Sequence, residues 1–175
     1  MLTYSISIVI LGILSYQDFK SRRISLLLLI ALFMLFFGMA YQVEGSLNAV
    51  IRNFAFNAGF VLIQFILVKI YFSLRNKRIE ALLDTYIGKG DLLFFIVCCL
   101  AFSVTWFIPF YIGSLLLALI ATIISNLFRK VKTLEIPLAG VMSLVMLLSI
   151  TIKLTHKSLN FYDDSYLFQL MNFPQ

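Results

Sequence analysis

Gly88-Lys89-Gly90-Asp91 sets a carboxyl group beside two glycines at the start of a long apolar run, and Asp18 stands at the end of an earlier one. Only eight acidic residues occur in the 175-residue chain, and a carboxylate near hydrocarbon is costly enough to be kept there mainly for function. Two carboxyls brought within a few ångströms cannot both ionise, so one holds a proton while the other can take one from water. Such a pair is equipped for acid–base hydrolysis: the ionised partner activates water, and the neutral one protonates a departing amide or polarises its carbonyl. The glycines flanking Lys89 free the backbone for an irregular path, which membrane depth tolerates where it is buried in protein or lines a wet cavity. Plainer roles exist for each residue. Asp18 can pair at an interface with Lys20, Arg22 or Arg23, and Asp91 can serve as the N-cap of the helix that follows it.

Whether the two meet depends on the elements that carry them. The chain is 62% hydrophobic and 13% charged, with a mean hydropathy of +1.01, whereas soluble domains are nearer half apolar and a quarter charged. The composition specifies an all-α, polytopic membrane protein of about six transmembrane helices. The expected organisation is one spanning domain over residues 1–152 and an outward-facing tail over 153–175. Basic residues beside apolar runs account for the net charge of +6 as topology determinants and contacts to the lipid bilayer, so no nucleic acid partner is implied. No basic residue precedes the first apolar stretch and no small-residue cleavage site lies ahead of Asp18, so that stretch reads as a retained span. Cys98 and Cys99 are adjacent, lack metal-ligand spacing and read as packed side chains. No metal site or cofactor is indicated.

The apolar stretches place spans at Leu2–Gln17, Ile24–Val43 and Phe54–Leu74, with Lys69 near the end of the third, where its long side chain can snorkel. Leu92–Phe128 has 37 residues without a charge; a single helix of that length would measure about 55 Å, well beyond a bilayer core. It must hold two spans, and Pro109 with Gly113, flanked by Trp106 and Tyr111, marks the expected reversal. The sixth span covers Ile136–Ile152. Counting Lys and Arg in the connections puts ten on one side (Lys20, Arg22, Arg23, Arg75, Lys77, Arg78, Lys89, Arg129, Lys130, Lys132) and three on the other (Arg52, Lys153, Lys157). The positive-inside rule makes the first side cytoplasmic. Asp18 ends the first span and Asp91 begins the fourth, so both lie on that side, and the first and fourth helices are expected to run next to each other.

Ser114, Ala118, Thr122 and Ser125 form a small-residue stripe suited to close helix packing, and Asn57 and Gln64 share one face of the third span, where they can bond to neighbours. Gly12 allows another helix near the segment that bears Asp18. Lone His156 and the Asp163-Asp164 pair read as ordinary tail residues, and Leu159–Met171 as a segment able to lie on the outer leaflet.

Asp18-Phe19-Lys20-Ser21-Arg22-Arg23-Ile24-Ser25 resembles the first motif of type IV prepilin peptidases, an Asp followed by basic residues and Ile-Pro at the head of the second helix. Gly88-Lys89-Gly90-Asp91 resembles their second motif, the GxGD signature shared with other intramembrane aspartyl proteases. Ile136-Pro137 resembles a third near the last helix. The resemblance spans residues 1–152 and fits the short, peptidase-only form, since no paired C-x-x-C segment is present. It implies that Asp18 and Asp91 are the catalytic pair, with Gly88 and Gly90 as supporting motif. The implied partner is a prepilin or pseudopilin leader with its N-terminal hydrophobic helix, cut at the cytoplasmic face of the plasma (inner) membrane; Glu80 and Asp84, solvated loop charges on the plainer reading, could attract the basic leader. The sequence departs from the family pattern at three positions: Ser25 stands for the usual Pro, Leu93 for the usual Lys, and Gly140 for a second Pro. Two other classes fit the composition, an inactive scaffold of a pilus or secretion assembly and a small proton- or cation-coupled transporter.

Overall fold

The computed structural model describes residues 2–22, 24–76, 88–128, 137–156 and 160–162. Among these, the chain is helical, with no strand. The six helices are α1 (Leu2–Ser21), α2 (Leu26–Glu44), α3 (Leu47–Asn76), α4 (Lys89–Ala101), α5 (Val104–Phe128) and α6 (Leu138–Thr155). All but α4 are long and apolar enough to cross a membrane. The 13 residues of α4 reach only about 20 Å.

The short helix is the central one. α1 packs on α2, α2 on α3, α3 on α5, α5 on α6, and α6 returns to α1, while α4 packs against α2, α3 and α6. Phe94, Phe95, Val97, Cys98, Cys99 and Leu100 of α4 are accordingly buried, and both cysteines are free thiols packed in the core. The surrounding helices turn Leu11 and Leu14, Leu32 and Phe36, Phe107, and Met142 and Met146 inward, and expose Ile, Leu and Val on their outer faces. An apolar exterior is what a lipid-facing surface requires. Of the small-residue stripe on α5, Ser114 and Ala118 are buried and Thr122 and Ser125 half-buried.

The boundaries that differ most from the sequence expectation are the start of α3 and the reversal before α5; α1 also runs on to Ser21. α3 begins at Leu47 rather than Phe54, because the α2–α3 connection is tight: Gly45 takes a left-handed conformation (φ 68°), and Ser46 Oγ accepts the Ala49 N–H at 3.2 Å as a cap. The reversal expected at Pro109 and Gly113 instead lies at Phe102–Ser103, and both Pro109 and Gly113 fall inside α5. Pro109 sits in the second turn of that helix, where its missing N–H forfeits one early bond.

The backbone groups freed at Phe102–Ser103 are satisfied from distant parts of the chain. Asn57 Nδ2 donates to the Cys99 and Phe102 carbonyls, both at 3.0 Å. Tyr162 Oη donates to the Leu100 carbonyl at 3.2 Å, and the Ser103 N–H donates to the Phe161 carbonyl at 2.8 Å. Phe161 also packs edge-on to Phe102 and Trp106. Of the tail expected from Lys153, the first three residues extend α6, and Phe161 and Tyr162 fold back onto this corner; Asp163, Asp164 and most of Leu159–Met171 lie outside the described residues.

Gly12 faces α6, but a Cβ there would meet only Leu147 Cδ1 at 4.0 Å, an ordinary contact. Gly12→Ala is therefore expected to stabilise the protein by up to about 1 kcal/mol through the removal of a mid-helix glycine, read as a raised melting temperature in detergent.

Candidate active site

The GxGD tetrapeptide is the first turn of α4. Gly88 is its N-cap, with extended backbone (φ −65°, ψ 139°), so Asp91 is the third helical residue and not the cap. From that position its carboxylate reaches back to accept a hydrogen bond from the Gly88 backbone, one half of a capping box. The glycines answer to space. A Cβ on Gly88 would lie 3.2 Å from Asp91 Oδ2, and a Cβ on Gly90 would lie 3.2 Å from Ile24 Cδ1, in the turn that leads into α2.

Asp18 lies in the last turn of α1 and is buried. The α1 helix ends on Arg22, a non-glycine residue in the left-handed region (φ 52°), whose N–H returns to the Asp18 carbonyl at 3.0 Å. That conformation is uncommon for a residue with a Cβ.

The two carboxyls are joined by a third element. The first N–H groups of a helix have no partner within it, and Pro137, the N-cap of α6, supplies no side-chain bond to them. Asp91 Oδ1 accepts the Ala139 N–H at 3.1 Å, and Asp18 Oδ2 accepts the Gly140 N–H at 2.6 Å. Aspartates from α1 and α4 thus cap α6, where the helix dipole favours negative charge. Because the two donors are consecutive in the chain, standard bond lengths limit the separation of the two accepting oxygens to about 10 Å. Gly140 is held from both sides, since Ser15 Oγ donates to its carbonyl at 3.2 Å. A Cβ on Gly140 would come within 2.9 Å of Asp18 Oδ2 and 3.2 Å of Phe19 Cε2.

Asp18 and Asp91 therefore occupy the same end of the bundle, as the sequence expects, but α1 and α4 are not close neighbours along their lengths. α1 packs against α6 and α2, and the start of α6 bridges the two aspartates. Gly88 is exposed, Asp91 half-buried and Asp18 buried, so Asp91 is the more accessible member of the pair. Leu93, two residues beyond Asp91 and thus on roughly the opposite side of its helix, is 39% exposed. Glu80, Asp84, Arg23 and Ile136 lie outside the described residues.

Sequence reasoning did not assign roles to Ser15, Gln17, Ala139 or the Gly140 N–H. A signal existed for the last: a helix opened by Pro137, with no capping side chain of its own, needs acceptors from elsewhere. Two of the departures from the family pattern take on meaning here. The Gly140 N–H is one that proline lacks, and so is the Ser25 N–H, which donates to Gln17 Oε1 at 3.2 Å.

The fold and the site define a multi-pass helical membrane protein with two aspartates gathered at one end of its bundle. Comparison with known proteins gives this class a family. The profile of the type IV leader peptidase family matches residues 5–124, and the chain belongs to that family. The matched segment contains Asp18 and Asp91 and ends before α6. No curated protein and no solved structure matches the chain.

Proposed function

We propose that the protein is a membrane-embedded aspartic endopeptidase in which Asp18 and Asp91 form the catalytic pair, and that it removes the short basic leader of prepilin-like precursors at the cytoplasmic face. The observation that carries this reading is the convergence of the two carboxyls on the consecutive Ala139 and Gly140 N–H groups. In the proposed reaction, the ionised member of the pair takes a proton from water as the water attacks the scissile carbonyl. The protonated member gives its proton to the leaving nitrogen, and the roles reverse on the return. The α6 N–H groups hold one oxygen of each carboxyl, Gly88 adds a second backbone bond to Asp91, and the remaining lone pairs are available to water and substrate. A substrate whose hydrophobic helix lies in the bilayer would present its leader junction at this end of the bundle. A transporter would keep such groups nearer mid-membrane, and a scaffold would have no need of them.

The test is cleavage of a purified prepilin-type precursor by the purified protein in liposomes, with the cut located by mass spectrometry. Cleavage after the leader glycine, at the junction with the hydrophobic helix, is expected; intact precursor under all conditions contradicts the reading. The rate should be bell-shaped in pH. At low pH both carboxyls are protonated and no base remains; at high pH both are ionised and no acid remains.

Leu93→Lys, which restores the family's usual residue, is expected to change the rate by less than about threefold. Residues two apart on a helix point in nearly opposite directions, so the new ammonium would face away from the pair. A gain of 100-fold would instead mark the natural chain as a degraded enzyme.

A further inference from the structure

The turn between α1 and α2 touches both halves of the site. Gln17, the residue before Asp18, accepts the Ser25 N–H through Oε1 at 3.2 Å. Ile24, the residue before Ser25, packs against Gly90, the residue before Asp91; an ideal Cβ on Gly90 would lie 3.5 Å from Ile24 Cβ. The two aspartates are therefore linked by a second route, independent of α6, that runs from Gln17 through Ser25 and Ile24 to Gly90. The Ser25 hydroxyl makes no cap bond to α2, so what residue 25 contributes to this route is its N–H and its backbone angle. That angle, φ −69°, falls within the range to which proline is locked, about −65 ± 15°. A chain can hold this turn either with a residue of fixed φ or with a hydrogen bond to the N–H that such a residue would lack.

We propose that Gln17 is a positioning residue: by holding the Ser25 N–H it fixes the α1–α2 turn, so that Ile24 seats on Gly90 and Asp18 is kept in register with Asp91. The bond is partly exposed, so water competes with it and its contribution is to geometry more than to overall stability. A proline at residue 25 makes the Gln17 acceptor unnecessary, because the ring supplies the restraint from the backbone itself. Gln17 and residue 25 are therefore coupled, and losing one can be repaired by changing the other.

The coupling is measured without reference to activity by disulfide formation between Ile24→Cys and Gly90→Cys, whose Cβ separation of 3.5 Å is within the disulfide range. Single-cysteine proteins serve as controls for Cys98 and Cys99. Gln17→Leu is expected to slow cross-linking by about fivefold, the scale of one hydrogen bond. Adding Ser25→Pro is expected to bring the rate back to within about twofold of the parent. Cross-linking of Gln17→Leu at the parent rate, or failure of Ser25→Pro to restore it, overturns the proposal. If Gln17→Leu does not accumulate in membranes, Ser25→Pro alone and the double variant must both cross-link at the parent rate, and slow reaction in either overturns it equally.

The catalytic consequence rests on the proposed peptidase reading. There, Gln17→Leu should lower kcat with KM little changed, and Ser25→Pro should restore kcat. Activity that survives Asp18→Asn defeats the peptidase assignment while leaving the cross-linking result intact, so the two failures are separable.

Discussion

Asp18→Asn and Asp91→Asn are each expected to reduce leader processing by between about 100- and 10,000-fold, the range for loss of a positioned acid or base. The amide matches the carboxyl in size and keeps an oxygen that can still accept the Gly140 or Ala139 N–H, so α6 should remain docked. The loss is therefore chemical, and melting temperatures of the two variants should stay near the parent's. Asp18→Ala differs in kind. It leaves the buried Gly140 N–H without its acceptor, at a cost of about 1–3 kcal/mol, and should lower stability as well as activity. Processing rates and thermal unfolding measured on the same preparations distinguish the two effects.

Gly140→Pro is the second large effect, and it runs against the family pattern, which often has proline at this position. Proline removes the N–H that Asp18 Oδ2 accepts at 2.6 Å and adds a Cβ where 2.9 Å is the distance to that same oxygen. The first turn of a helix tolerates proline, because its N–H groups have no partner within the helix. α6 should therefore form and pack, while Asp18 loses its place. Processing is expected to fall by at least about 100-fold, the scale of a misplaced catalytic group, with helical content unchanged. Gly140→Ala keeps the donor and adds only the steric clash, so its loss should be smaller. Equal losses for the two would show that space alone decides and that the N–H contributes nothing.

Much of this was readable from the chain, for identifiable reasons. Runs of apolar residues must be helices in lipid, since every backbone group there has to be satisfied internally; that fixed the number of helices, and with it the end of the bundle to which Asp18 and Asp91 belong. Ser114, Ala118 and Asn57 were visible as packing features, small or polar groups on the faces of apolar helices; Thr122, Ser125 and Gln64, read the same way, are only half-buried. The position of the α4–α5 reversal was not. Pro109 is a strong local signal, but the reversal falls at Phe102–Ser103, where Asn57, Phe161 and Tyr162 satisfy the freed backbone groups. Local preference cannot report partners about 40 to 60 residues away. The bridging role of α6 was hidden likewise, because a backbone N–H leaves no mark in a sequence. Only the missing cap at Pro137 and the absence of proline at residue 140 hinted at it.

If Asp18 and Asp91 act as one unit, removing both should cost no more than removing either, and a double-variant comparison reads this out. Processing is measured for Asp18→Asn, Asp91→Asn and the combined variant, each confirmed as inserted and folded. Groups that share one proton-transfer function fail together, so the combined variant should retain the same residual rate as either single variant to within about threefold. Losses that multiply, so that the combined variant falls below both singles by the product of their separate effects, would show that Asp18 and Asp91 act independently and not as a pair.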